Sequence, residues 1–148
     1  MLSCGVSQAR IGENYDELVA RYGKPSSDIP IEGLRKLLFE KEGFFIDVDL
    51  VDNKAEKIVY SSKKKERAPL SEYEVKSFLD KNIGINKKAE WTKGSLIEET
   101  QFFRLKYGEG TEAMWEMDRG YLTIRTRKGR EALEAIGANK AKQKLKAF

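Results

Sequence analysis

The same helix instruction is written twice in this chain, 57 residues apart, and each copy is followed by stretches whose apolar residues recur at every second position. The first copy is Ile11 to Pro25, IGENYDELVARYGKP. Asn14 with Glu17 three residues later forms a capping box, in which each side chain satisfies an amide that the first turn leaves unpaired. Tyr15, Leu18, Val19 and Tyr22 stand at i, i+3, i+4 and i+7, which places them on one buried face. Gly23 and Pro25 then stop the helix. In the second copy Ser71 and Glu74 repeat the box, Leu70 and Val75 take the positions of a hydrophobic staple, Val75, Phe78 and Leu79 form the stripe, and Gly84 stands where a helix closes. The match is one of role: Asn14 falls on Ser71, Glu17 on Glu74, Leu18 on Val75 and Tyr22 on Leu79.

After the first helix, residues 26 to 30 (SSDIP) read as loop. Leu34 to Phe39 is a strand candidate, 40 to 43 (EKEG) a turn, and Phe44 to Val51 alternates, with Phe44, Ile46, Val48 and Leu50 on one side. Asp52-Asn53-Lys54 turns into a strand over Lys57 to Ser61, and the polar run Lys63 to Arg67 reads as a linker. After the second helix comes a looser stretch around Trp91 and Gly94. Strands are then expected over Gln101 to Tyr107, Glu112 to Met117 and Tyr121 to Arg127, with turns at Gly108 to Gly110 and Asp118 to Gly120. Arg130 to Ile136 reads as a short final helix closed by Gly137.

The order is helix then three strands, twice. A unit that cannot close its own core predicts that both halves share one. The expected fold is therefore α+β: two tandem α-β-β-β units in one antiparallel sheet with helices packed on one face. With 148 residues, a single domain can bury roughly two thirds of the surface of its unfolded chain. Within it, residues 1–10 form a flexible start, 11–67 the first unit, 68–137 the second unit with its short helix, and 138–148 a basic tail.

Charge placement bears on partners. The net charge is +4, and residues 138–148 carry Lys140, Lys142, Lys144 and Lys146 with no acid. Without those four, the chain has 24 basic and 24 acidic residues and is formally neutral. A phosphate-binding domain concentrates its cations on a folded face, so this distribution argues against nucleic acid as the partner. The tail is expected either to extend the last helix or to hang free, and its functional readings are an anionic membrane surface or an acidic partner.

The chain has no His, which excludes imidazole acid–base catalysis and His metal sites, and its single Cys4 cannot form an internal disulfide. Leu2-Ser3-Cys4-Gly5 resembles the end of a bacterial lipoprotein signal, where a small residue precedes a cysteine that becomes lipidated. Cys4 is thus the candidate lipidation site and membrane tether, and the periplasm or cell envelope the expected location. An ordinary N-terminus with an incidental thiol would leave the protein in the cytoplasm.

The densest acidic cluster, Asp47, Asp49, Asp52 and Glu56, supplies oxygens of the kind a hard cation binds, but it lacks the glycine and terminal glutamate of a calcium loop. Asp47 and Asp49 also fall on the outward side of a strand, where solvated charge is expected. Glu98 and Glu99 are an adjacent acid pair that nothing in the sequence forces into a dry pocket. No nucleophile, metal or cofactor motif is present, so no catalytic, metal or cofactor residue is assigned. Phe102, by contrast, alternates with Phe103 and shares its side with Arg104 and Lys106, while Tyr121 accompanies Thr123 and Arg125. Phe102, Arg104, Lys106, Tyr121 and Arg125 are therefore the candidate partner-binding face, since aromatics with Arg on an exposed sheet face mark protein interfaces and also stack on bases.

The stretch GENYDELVARYGKP leading into FFIDVDLVDNKAEKIVY resembles the helix-plus-meander of the β-lactamase-inhibitor-protein-like fold and of the small SmpA/OmlA lipoproteins of the outer-membrane assembly machinery. The resemblance covers residues 11 to 60 best and 70 to 127 loosely. It implies a role in binding other proteins rather than catalysis. The inhibitor family's disulfide cysteines are missing here, and there are two units where the lipoproteins have one, so neither family's partner carries over. The reading is a non-catalytic exported bacterial protein that binds another protein through an exposed sheet face. The alternative is a basic module that binds nucleic acid or another polyanion.

Overall fold

The computed structural model describes residues 11–64, 68–83 and 88–148. Cys4, Gly84 and most of the expected linker lie outside them. Both capping boxes form. Helix α1 (Tyr15–Tyr22) begins with the Glu17 amide donating to Asn14 Oδ1 at 2.9 Å and the Asn14 amide donating to Glu17 Oε1 at 3.2 Å. Helix α2 (Glu72–Lys81) begins the same way, the Glu74 amide reaching Ser71 Oγ at 3.1 Å and the Ser71 amide Glu74 Oε1 at 2.8 Å. Gly23 ends α1 at φ 86°, a conformation that glycine adopts without strain. Helix α2 is capped by Asn82.

The strands are β1 (Ser27–Ile31), β2 (Leu34–Lys41), β3 (Phe44–Val51), β4 (Lys54–Ser62), β5 (Glu90–Ile97), β6 (Thr100–Lys106), β7 (Glu112–Glu116) and β8 (Tyr121–Arg125). They make one antiparallel eight-stranded sheet in the order β1-β2-β3-β4-β8-β7-β6-β5. Two-residue turns set the register of its first half. Glu42-Gly43 (φ 50° and 85°) and Asp52-Asn53 (φ 51° and 58°) are left-handed at both positions, which matches the twist of the strands they join.

Four strands therefore follow each of the first two helices, not the three expected. The segment read as loop at 26 to 30 is the edge strand β1. Pro30 is tolerated there because an edge strand needs only half of its amides for pairing, and Pro30 stands opposite Arg35. The looser stretch around Trp91 and Gly94 is β5, the other edge. Its pairing with β6 shifts register between Lys93 and Leu96, and that irregularity breaks the alternation by which a strand is recognised.

The core lies between one sheet face and helices α1 and α2. Leu18 from α1, Val75 and Leu79 from α2, and Leu37, Phe39, Ile46, Val48, Ile58, Tyr60, Leu122 and Ile124 from the sheet are buried together. Each large side chain of this kind contributes roughly 1.5–3 kcal/mol on burial. The two helices are tied to the sheet by a fully buried Asn82. Its Oδ1 accepts the Ile11 amide at 2.9 Å, and its Nδ2 donates to Tyr60 Oη at 2.9 Å and to the Phe78 carbonyl at 2.8 Å. Phe78 stacks on Tyr60 with ring centroids 4.1 Å apart and meets Phe44 edge-on at 5.1 Å.

Helix α3 (Arg127–Leu145) replaces the short helix expected over Arg130 to Ile136. Gly137 does not close it, and the tail residues continue it. No α3 residue belongs to the core. Arg130 instead reaches Glu112, which alternates to the opposite face from buried Ala113. The helices thus do not all cover one face. Thr126 caps α3 by accepting the Gly129 amide at 3.0 Å, and the Thr126 amide donates to the Glu56 carbonyl at 2.9 Å.

The approach of α3 to β4 requires glycine at 129. A Cβ there would lie 2.4 Å from the Glu56 carbonyl oxygen, whereas one at Gly137 would meet nothing within 4 Å. Helix propensity alone favours Ala over Gly by about 1 kcal/mol at either position. Gly129→Ala is expected to lower stability by about 1–3 kcal/mol through this backbone clash, and Gly137→Ala to leave it unchanged or raise it by up to about 1 kcal/mol. Urea unfolding of the two variants checks both signs.

Candidate functional site

Alternation along eight strands leaves the sheet face opposite α1 and α2 with its own set of side chains, and the strand registers line them up in rows. One row is charged: Lys36, Asp49, Lys57, Arg125, Glu112 and Arg104 stand opposite one another in turn from β2 to β6. The next is mostly apolar: Leu38, Asp47, Val59, Thr123, Met114 and Phe102. A third carries Glu40, Phe45, Ser61, Tyr121, Glu116 and Thr100. Leu38, Val59, Met114 and Phe102 are each half-buried. Asp47 separates Leu38 from Val59 and Thr123 separates Val59 from Met114, so the row is an interrupted strip, with charge along one side and Phe45 and Tyr121 along the other.

Four of the five residues expected to share a binding face are gathered here. Phe102 and Arg104 come from β6, Tyr121 and Arg125 from β8, and β7 runs between them. Tyr121 is 37% exposed and Arg104 is open to solvent. Arg125 is held within the sheet: its Nη2 lies 3.0 Å from Glu112 Oε1, which also receives Arg130 Nη1 at 2.8 Å. Lys106 has the same parity but lies beyond the end of β7, where it faces Glu90 of the edge strand at 3.9 Å. Met114, Val59 and Leu38 join the patch although none stood out in the sequence. Met114 was legible in principle, since Ala113 and Trp115 take the opposite parity. Val59 and Leu38 reach the patch only because β4 pairs with β8.

The acidic cluster is dispersed by the fold. Asp52 binds Lys128 at 2.8 Å, and this hydrogen bond holds the Asp52 carboxyl below its ordinary range. Glu56 accepts a hydrogen bond from the Thr126 hydroxyl. Asp49 is not solvated as its outward position suggests; it is 7% exposed, with Oδ1 3.1 Å from Lys36 Nζ. Asp47 and Asp49 line a depression of about 410 Å³ with Lys36, Lys57, Glu116 and Arg119. Its three cations balance its three acids. Among the described residues, no three carboxylates or thiols are placed to hold a metal ion. Glu98 and Glu99 form the turn between β5 and β6.

A second concavity, of about 460 Å³, lies on the core side of the sheet between α2 and strands β5 to β7. Val75, Leu79, Trp91, Phe103 and Trp115 line it, and the Trp91 indole N–H donates to the Leu79 carbonyl at 2.5 Å. The Trp115 indole nitrogen is buried without a hydrogen-bond partner. Sequence reasoning places these aromatics in the core; Phe103 is buried there, and Trp91 and Trp115 pack against it along its open margin. Among the described residues, no helix is long and apolar enough to cross a membrane.

No family model matches the chain, and neither does any curated protein. Two solved structures are distantly similar. A cysteine-rich secretory protein from Staphylococcus aureus has 12% identity and a TM-score of 0.45, over 80% of this chain and 45% of that one. An extracellular protein containing an SCP domain, from Bacillus anthracis, has 10% identity and a TM-score of 0.43, over 86% and 48%. The chain thus spans less than half the length of either, and likeness at this level assigns neither fold nor activity.

Asp47 gives the open face a pH signature. Partial desolvation, with Asp49 beside it, raises the Asp47 carboxyl above its ordinary value of 3.8. The folded chain then binds this proton more readily than the unfolded chain, so ionisation of Asp47 opposes folding. The penalty is absent below the unfolded value, grows as pH rises, and is complete above the folded one. Asp47→Asn is expected to raise stability at pH 7, by less than about 1 kcal/mol because the group stays solvent-accessible. The gain should vanish as pH falls through the titration of Asp47, and urea midpoints measured across pH would reveal it.

Proposed function

We infer that this protein is a non-catalytic, exported binding protein that presents its open sheet face to a protein partner. The observation that carries the reading is the half-buried strip Leu38, Val59, Met114 and Phe102, bordered by a charged row and by Phe45 and Tyr121. Met114 beside Phe102 forms its apolar end, and Asp47 and Thr123 interrupt it toward Leu38, a mixture of apolar, aromatic and charged side chains of the kind from which protein interfaces are built. Rigid strands supply it in fixed register, so little conformational freedom is lost on binding. The charges of the row are largely paired within the sheet, which favours a docking surface over a site that needs a free acid or base. The absence of His removes the commonest such group.

Two further readings belong with this one. The halves 11–67 and 68–137 are taken as related units; a boxed helix followed by four strands in each half supports this, as does a strand order that mirrors about β4 and β8. Export, with a tether at Cys4, rests on the Leu2-Ser3-Cys4-Gly5 string. The resemblance to protein-binding helix-plus-meander families is consistent with both.

A photo-reactive residue in place of Tyr121, compared with one in place of Tyr73 on α2, tests the face directly. Tyr73 is 83% exposed on the helix side. A discrete adduct with an envelope protein is expected at 121 and not at 73. With that partner purified, Met114→Asp and Tyr121→Arg should each weaken binding at least about tenfold, the loss typical of a central contact, while Tyr73→Ala has no effect. Adducts confined to 73, or affinity indifferent to both open-face changes in folded protein, would overturn the proposal. So would turnover on a hydrolase substrate panel that a single carboxylate change abolishes.

A further inference from the structure

We propose that the second half of α3 is a contact for an anionic lipid bilayer surface. The first turns of the helix lie against the body, with Gly129 buried and Arg130, Ala132, Leu133 and Ile136 half-covered. From Gly137 onward every residue is exposed, so the helix projects about 12 Å beyond its last covered turn. A polar, isolated helix end of this length gains nothing from packing, and short helices in water are marginal on their own. Its side-chain arrangement supplies a reason for it.

At 100° per residue, Ala138, Ala141 and Leu145 fall within one stripe of the helix, and Phe148 follows three residues after its last helical residue. Lys140 and Lys144 border that stripe on one side and Lys142 and Lys146 on the other, with Asn139 and Gln143 on the back. Leu145 is 69% and Phe148 103% exposed, and both lie among the lysines. Lysines bordering an apolar stripe let the stripe sink into the headgroup boundary while the ammonium groups stay at the phosphates. Charge complementarity favours an anionic surface, since residues 138–148 hold four lysines and no acid while the rest of the chain is formally neutral. A nucleic-acid partner would have no use for Leu145 and Phe148. Each lysine near an anionic leaflet strengthens binding about fivefold, and four give on the order of several hundredfold, screened by salt.

The test uses the full, unlipidated chain and sedimentation with vesicles of phosphatidylcholine, alone or with roughly a third phosphatidylglycerol, the anionic fraction that attracts basic helices. Binding is expected only to the anionic vesicles and should weaken with salt. Replacing Lys140, Lys142, Lys144 and Lys146 together by Gln should reduce it at least about a hundredfold, and the double change Leu145→Ser with Phe148→Ser by about tenfold. Neither variant touches the body, so their melting curves should match the parent. Equal binding to both vesicle types, no binding to either, or full binding by the four-glutamine variant would overturn the proposal. Tighter binding to a random-sequence DNA duplex or to polyglutamate than to the anionic vesicles, insensitive to the Leu145 and Phe148 changes, would also overturn it and assign the helix to a soluble polyanion.

Discussion

The antiparallel pairing of β4 with β8 makes one molecule of two half-sheets. Five register pairs, from Lys57 opposite Arg125 to Ser61 opposite Tyr121, form this seam. On its core side Ile58 meets Ile124 and Tyr60 meets Leu122, all essentially inaccessible to solvent. On its open side two cations, Lys57 and Arg125, face each other, an arrangement that is unfavourable by itself. Asp49 and Glu112 flank them on the neighbouring strands. The seam is therefore electrostatically tolerable only inside the wider sheet, which couples its stability to β3 and β7.

Asn82 does for the helix layer what the seam does for the sheet. A buried amide must satisfy its polar atoms or cost stability, and this one bonds to Ile11, Tyr60 and Phe78 at once. It thereby fixes the end of α2, the approach to α1 and a central residue of β4 relative to one another. The stack of Phe78 on Tyr60 lies beside it, so polar and apolar restraints converge on the same strand. With α1 and α2 held over one face, the opposite face is left largely uncovered, and its rows of side chains become available to a partner.

Helix α3 stands apart from this scheme. It leaves β8 by a close backbone approach at Gly129 and contributes nothing to the core. Its first turn meets the charged row of the open face through Arg130 and Glu112, whereas the four lysines from Lys140 to Lys146 lie on its exposed second half. The proposed lipid contact uses the second half of the helix and the proposed protein contact the sheet, so the two proposals make no competing demands on the same residues.

Local rules settled much of this fold in advance. The boxes at Asn14/Glu17 and Ser71/Glu74, the alternation through Phe44 to Val51, and the shared parity of Phe102 with Arg104 and of Tyr121 with Arg125 depend on neighbours within a few residues, so the chain specifies them wherever they sit, while β7 brings the two pairs onto one face. The edge strands were hidden because Pro30 and the Lys93 to Leu96 irregularity violate strand patterns that an edge is free to violate. Gly137 misled because the glycine penalty of about 1 kcal/mol marks a helix end only when a capping conformation accompanies it. The burial of Asp49 and the joining of Val59 and Leu38 to Phe102 and Met114 are decided by β4 finding β8. That contact lies at least 60 residues away along the chain, and no local pattern encodes its register. The sequence by itself determined the elements and which side of each is apolar; the tertiary structure alone decided which strands became neighbours, because pairing is a competition among all exposed edges rather than a property of any one segment.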